Sequence, residues 1–403
     1  MQYSARKDLL WRIRRLLSRE SILAMGRTAP NPPVAAVVLA TETDTDVLFS
    51  GGTEPAGSRH AEIVALDRVR DAGSIPGKMY VTLEPCSHHG RTPPCTQRII
   101  EADVARVVVY TRDPALGESG IDLLRRAGRR VHLNGAGRFA PGRDFLAGFL
   151  GRIAGRGPRY HIKAALTADG FMTGGADRER LLISGRAALA FGMALRSRVD
   201  AVVVGPGTVA GDLPGLELRP VAFAFDFEEH AAAAERTGDG FLAALFEHFN
   251  DITGSFSDPR YQPDRIFLLG RPFPGADDFF TKQARLAEVT GRKAVFVTTQ
   301  KHAEHWGDMT KTVLPDMSAS DFASALRNWL GQRGYNEVMI EGGPTLLETL
   351  APNMGGTDRI YLLKSRTARA GRGRSFGAAM DEHLRQPTST YDFGESDVLE
   401  VYP

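Results

Sequence analysis

Apolar residues in the first 150 positions fall into short blocks that alternate between helical and extended spacing. Over 5–24, Leu9, Leu10, Ile13, Leu16 and Leu17 recur every three or four residues among Lys7, Arg12, Arg14 and Arg15. That spacing predicts an amphipathic helix with a basic outer face, suited to a membrane surface or to the first helix of a folded domain. The runs 34–40 and 46–50 read as strands around the polar stretch 41–45. A helical period opens at His60, continues through Ile63, Leu66 and Val69, and stops near Gly73. A buried strand over 79–83 delivers Glu84-Pro85-Cys86, and Cys95 begins a helix before Ile99 and Ile100. Strands at 105–110 and 130–133, separated by a helix over 121–127, complete an α/β/α layer arrangement.

The pattern changes over 149–158, where three glycines and scattered arginines read as a linker. It separates a domain at 1–148 from a second at 157–403. Tyr160-His161-Ile162-Lys163 starts a strand leading to Thr167-Ala168-Asp169-Gly170, and a strand over 200–205 ends in Gly205-Pro206-Gly207-Thr208. A strand over 337–340 runs into Glu341-Gly342-Gly343-Pro344-Thr345-Leu346, a strand–glycine–helix junction able to cradle an anion. Alone, that junction is common to α/β proteins. An insertion at 221–262 carries an amphipathic helix over 241–249, either a lid or interface element or a surface embellishment.

Composition narrows the class. A chain of 403 residues has room for two or three domains, and 42% hydrophobic with 24% charged residues reads as a soluble globular protein. A formal net charge of +2 gives no reason to invoke nucleic acid, and no apolar run reaches membrane-spanning length. Only two cysteines occur, both in one loop, which suits a metal site in a reducing cytoplasm better than a disulfide framework.

Those cysteines carry the chemistry. His60-Ala61-Glu62 and the Cys86 to Cys95 loop supply one imidazole and two thiolates. Three such ligands hold a catalytic zinc with the fourth position left for water, and Glu62 is placed to move protons. The competing arrangement is a structural zinc completed by His88 or His89. The order His-x-Glu then Pro-Cys is that of nucleobase deaminases.

Pro85-Cys86-Ser87-His88-His89-Gly90-Arg91-Thr92-Pro93-Pro94-Cys95 has eight residues between its cysteines. With Pro30-Asn31-Pro32 upstream, it resembles the deaminase half of the bifunctional riboflavin-biosynthesis deaminase/reductase family. The resemblance implies a cytidine-deaminase-like α/β/α domain followed by a dihydrofolate-reductase-like α/β domain. It implies zinc on His60, Cys86 and Cys95, catalysis by Glu62, and a phosphoribosyl diaminopyrimidine held by Asn31, Ser87, His88 and Arg91. In the second half it implies that Lys163, Asp212, Leu216, Arg219 and Glu341 face the ribose phosphate. Thr167, Ser184, Gly205, Thr208, Gly342 and Gly343 would line an NADPH site. A cytoplasmic homo-oligomer without a nucleic-acid or membrane partner is expected.

The chain also departs from that family. Thr53 stands where a substrate-contacting histidine is usual, Ala35 replaces a glycine, and Ala115-Leu116-Gly117 replaces a second Asn-Pro segment. Leu182-Ile183-Ser184-Gly185, Leu213 and Lys364-Ser365-Arg366-Thr367-Ala368-Arg369 differ in the second half. The alternative these changes leave open is a deaminase whose second half is inactive, repurposed, or a nucleotide-binding or oligomerisation module.

Overall fold

The computed structural model describes residues 2–40, 47–88, 93–134, 140–172, 183–221, 225–307, 312–314, 318–369, 371–394 and 396–403. The chain divides into two units, Met1–Ala147 with Ala231–His248, and Gly148–His230 with Phe249–Pro403.

The first unit runs α1 (Gln2–Ala24), β1 (Ala35–Ala40), β2 (Leu48–Gly52), α2 (Ala61–Asp71), β3 (Pro76–Leu83), α3 (Cys95–Glu101), β4 (Arg106–Thr111), α4 (Gly120–Arg126), β5 (Arg130–Leu133) and α5 (Ala140–Ile153). Its sheet has the order β2-β1-β3-β4-β5, with β1 antiparallel to both neighbours and β3, β4 and β5 parallel. Strand alternation decides which helix covers which face. Ala35 and Val37 pack with Ile13 and Leu17 of α1, and with Tyr80, Val108 and Tyr110. Ala36 pairs with Gly51, so both point to the other face, where α2 lies. A Cβ on Gly51 would sit 2.7 Å from Ala61 O and Ala65 N, so glycine lets α2 approach the sheet. That close approach sets where α2 begins, and with it His60.

The stretch read as a linker is instead mostly the end of α5, whose residues after Ala147 group with the second unit. The chain continues with β6 (Arg159–Leu166), α6 (Arg186–Arg196), β7 (Ala201–Val204), α7 (Pro206–Asp212), α8 (Glu228–Thr237), α9 (Gly240–Glu247), α10 (Phe249–Gly254), β8 (Asp264–Leu269), α11 (Ala276–Thr290), β9 (Ala294–Thr299) and α12 (Gln300–Ala303), of which α9 and most of α8 group with the first unit. Then come β10 (Thr312–Leu314), α13 (Ala319–Gln332), β11 (Glu337–Ile340), α14 (Pro344–Leu350), β12 (Arg359–Ser365), α15 (Ala378–His383), β13 (Ser389–Asp392) and β14 (Asp397–Tyr402). The sheet order is β10-β9-β8-β7-β11-β6-β12-β14-β13, parallel except where β14 meets β12 and β13. Its central strands are apolar on both faces, as helices on either side require. Polar groups do enter near the strand starts, where buried Glu337 bonds His161 at 2.7 Å and accepts from Gly148 N at 3.2 Å. The opposite, carboxyl ends of β6, β7, β11 and β12 carry the loops of interest, the usual ligand side of such a sheet.

The insertion serves both units. Its Ala231–His248 part groups with the first, where Phe241 packs 6.5 Å from Phe145 and Asp144 accepts from Gly240 N at 3.2 Å. Glu247 there pairs with Arg15 of α1. Phe225 and Phe227 stay in the second unit, ring to ring with Phe393 at 5.8 and 5.5 Å. No described helix is long and apolar enough to cross a membrane.

Candidate functional site

In the first unit, three elements bring three donor atoms together. His60 is the N-cap of α2, Cys86 follows β3, and Cys95 is the first residue of α3. His60 Nδ1 lies 3.6 Å from Cys86 Sγ and 3.3 Å from Cys95 Sγ. Around a tetrahedral zinc, bonds of about 2.1 Å to nitrogen and 2.3 Å to sulfur place donors about 3.6 Å apart. The trio therefore fits zinc, and it is the one metal-capable group among the described residues.

The surroundings prepare these donors. The Cys95 amide donates to Cys86 Sγ at 3.3 Å, and Thr96 donates its amide and hydroxyl to Cys86 O at 3.2 and 3.1 Å. Cys86 is pulled low, first by its hydrogen bond with Cys95 and then by His60, while the same bond and burial push Cys95 up. Glu62, 3% exposed, is pushed up to about 7 by burial and then by the charge of Cys86.

Glu84 holds the loop in place and escaped the sequence reading. It is 5% exposed and accepts from Ser119 Oγ at 2.7 Å, Ile121 N at 3.1 Å and Asp113 N at 3.4 Å. A buried carboxylate needs such partners, and three donors there fix the chain just before Cys86. Gly120 closes the same junction, since a Cβ would fall 2.0 Å from Pro85 O. The available signal was an acidic residue ending a buried strand, next to a metal ligand.

The expected substrate residues separate. Asn31 sits in a turn, its amide donating to Thr28 O at 2.9 Å, just after the cis Ala29–Pro30 bond. The Ser87 hydroxyl donates to Glu118 O, and His88 is exposed near Asp113. Arg91 lies outside the described residues, as does His89. Thr53 is buried, with its hydroxyl on Val34 O at 3.3 Å.

In the second unit, Glu341 lies within electrostatic reach of Arg196, Lys163 and Arg219, and Lys163 within reach of Arg196 as well. Arg196 donates Nε and Nη2 to Glu341 Oε1 at 2.8 and 2.6 Å. Burial pushes Glu341 up, but Arg196 and Lys163 outweigh it and hold the carboxylate below its ordinary range. Lys163 is lowered by burial, against the pull of Glu341. Arg196 is a second residue the sequence reading missed, because an arginine ending an apolar helix carries no motif. Asp212 is exposed at the end of α7, while Leu216 is 6% exposed with φ of 61°.

Four of the expected cofactor residues, Gly205, Thr208, Gly342 and Gly343, gather at two neighbouring junctions. A Cβ on Gly205 would lie 3.2 Å from Leu346, and one on Gly342 2.8 Å from it, so both glycines admit α14. Gly343 has open space, leaving its backbone approachable, and Thr208 lies in the first turn of α7. Thr167 Oγ1 donates to Asp169 at 2.6 Å, and Asp169 accepts from Gly371 N at 2.8 Å. The divergent segment after β12 is thereby tied to that turn, and Arg374 donates to Thr345 Oγ1 at 3.0 Å. Ser184 precedes Gly185, whose amide donates to Asp397 at 2.8 Å; Leu182 lies outside the described residues.

Residues 13–111 match the family model of the cytidine and deoxycytidylate deaminase zinc-binding region. The riboflavin biosynthesis protein RibD of Corynebacterium ammoniagenes is 39% identical over 196 residues, 48% of this chain and 56% of that protein. The chain is thus similar in sequence to RibD. RibD of Escherichia coli (strain K12) is 29% identical over 324 residues, 80% of this chain and 78% of that one. The match therefore spans little more than half the length of the first of these proteins. The Thermotoga maritima diaminohydroxyphosphoribosylaminopyrimidine deaminase/5-amino-6-(5-phosphoribosylamino)uracil reductase shares the fold. It superposes with a TM-score of 0.70 at 22% identity, covering 98% of this chain and 97% of that one. The fold is thus a cytidine-deaminase-like domain and a reductase-like domain, each with a mixed α/β sheet.

Proposed function

We propose that this RibD relative is a bifunctional enzyme of riboflavin biosynthesis. The first domain, 1–148, hydrolytically deaminates a phosphoribosyl diaminopyrimidine, and the second, 157–403, reduces the product's ribose. The observation that carries the reading is the convergence of His60, Cys86 and Cys95 beside buried Glu62.

His60 Nδ1 and the sulfurs of Cys86 and Cys95 would hold zinc, which when bound supplies an activated water at neutral pH. Glu62 is the group on the chain that moves protons. Buried beside the three donors, it can take a proton as water attacks the ring carbon and return it to the departing ammonia. Glu84, Ser119 and Gly120 keep the Cys86 loop rigid while this happens. Asn31, Ser87, His88 and Arg91 are assigned to the pyrimidine and its phosphate, for which a guanidinium is well suited.

In the second domain Lys163, Glu341 and Arg219 are assigned to the phosphorylated ribose, with Asp212 and Leu216 flanking it. Thr167, Ser184, Gly205, Thr208, Gly342 and Gly343 are assigned to NADPH, which supplies the hydride. The open backbone at Gly343 and the charge cluster across the same strand ends support that division. The enzyme would act in the cytoplasm as a homo-oligomer without nucleic acid, and a net charge of +2 supports the last point.

Glu62→Gln tests the proton assignment. The variant should keep about one zinc per chain and lose ammonia release by about 10²–10⁴-fold, the usual worth of a positioned acid–base group. Wild-type turnover in this variant would remove Glu62 from the mechanism.

A further inference from the structure

The chain from Leu213 to Arg219 leaves α7 with neither helix nor strand. Leu213 and Leu216 have φ of 45° and 61°, a left-handed conformation that leucine rarely adopts. Such geometry persists only where neighbours over-determine it. Among the described residues no backbone-to-backbone bond ties 214–219. Side chains do that work instead. Lys282 Nζ donates to Leu213 O at 3.0 Å, and Gln283 Nε2 donates to Pro214 O at 2.8 Å. Arg196 Nη1 donates to Glu217 O at 3.2 Å. Gln262 works both ways, accepting from Leu218 N at 2.8 Å and donating to Leu218 O at 3.4 Å.

Two of these grips are built for the purpose. Gln283 is fully buried on α11, and Gln262 is 8% exposed at the end of the insertion. A buried amide is costly unless bonded; Gln283 donates to Pro214 O, and Gln262 divides its N–H groups between Leu218 O and Phe256 O. Beneath them Arg265, 1% exposed, donates to Gln283 O at 3.3 Å and faces the charge of Glu217. Gly215 leaves room for Glu217, whose carboxylate would lie 1.8 Å from a Cβ there. The loop ends at Arg219, whose charge reaches Glu341 in the Lys163–Arg196 cluster.

We propose that Gln262 and Gln283 are positioning residues that hold the 213–219 loop, and through it Arg219, for binding of the phosphorylated substrate. This rests on the reductase reading above. The amides touch no reacting atom. They set affinity for the phosphorylated ligand and leave NADPH binding alone.

Gln262→Met and Gln283→Met keep side-chain volume and remove the amide. In the full-length chain, hydrogen exchange of peptides covering 213–219 and steady-state reduction of the deaminated phosphoribosyl pyrimidine are measured together. Loss of one such bond is worth about tenfold. In Gln262→Met the Leu218 amide, whose bond to Gln262 is lost, should exchange about tenfold faster while β8 does not, and in both variants KM for that substrate should rise about tenfold. kcat and the Kd for NADPH should stay within about twofold. Unchanged exchange, or faster exchange with unchanged KM, overturns the proposal. So does a parallel loss of kcat, KM and NADPH affinity, which would mark a merely structural role. A wild-type chain that never oxidises NADPH with this substrate would sink the reductase reading, and with it the substrate part of this inference. The exchange data would still decide whether the two amides hold the loop.

Discussion

The two sites of this molecule are assembled in opposite ways. The zinc trio draws on two short stretches 35 residues apart at most, and its two sulfurs stand within 3.6 Å of His60 Nδ1. The second-unit cluster draws Lys163, Arg196, Arg219 and Glu341 from four segments spread over some 180 residues, and its loop is held by side chains from elsewhere. The first site depends on a few atoms that nothing else can replace. The second depends on many small contacts, so substitutions such as Leu213 can accumulate there without dismantling it.

Cys95→Ser should separate the two most sharply. Serine keeps the start of α3 but offers zinc a poor ligand, so metal is lost and ammonia release should fall by about 10³-fold or more, the scale on which one member of a catalytic unit acts. NADPH binding, read by fluorescence titration, should be unchanged. Retained zinc with retained deamination would show that the trio is not the site.

The same contrast decides what was legible from sequence. Spacing alone placed His60 at a helix start, Cys86 after a strand and Cys95 at the next helix start, because each lies where a hydrophobic period begins or ends. Glu84 and Arg196 were not legible, since their roles come from partners 29 to 145 residues away. The linker reading failed because glycines at 151 and 155 are tolerated where α5 ends and turns, and a helix continues to Ile153. The insertion's helix was legible from its Phe and Leu spacing. Its packing against Phe145 was not, because nothing in 231–248 names a partner so far away in sequence.

A smaller effect should come from the polar groups at the strand starts of the second unit. Burial pushes Glu337 from an ordinary 4.5 to about 8, and Asp200 from 3.8 to about 7. Between the unfolded and folded values the folded chain holds protons that the unfolded chain releases. The contribution of these two groups to stability is therefore fully present below about pH 4 and declines as pH rises toward 8. Calorimetry should show Tm falling between pH 6 and 8.5, by about 2–4 °C for each kcal/mol lost at this domain size. Glu337→Gln keeps an acceptor for Gly148 N and should flatten that slope. An unchanged slope would mean that Glu337 is ionised in the folded chain.

Product analysis by mass spectrometry tests the central claim most directly. The zinc-loaded full-length chain is given the diaminopyrimidine ribosyl phosphate, with and without NADPH. Without NADPH, the account predicts ammonia and the deaminated ribosyl product alone. With NADPH, it predicts the ribityl product together with one NADPH oxidised for each ribose reduced. Ammonia release with no NADPH oxidation would contradict the bifunctional claim and leave only a deaminase, and intact substrate under both conditions would contradict the account as a whole.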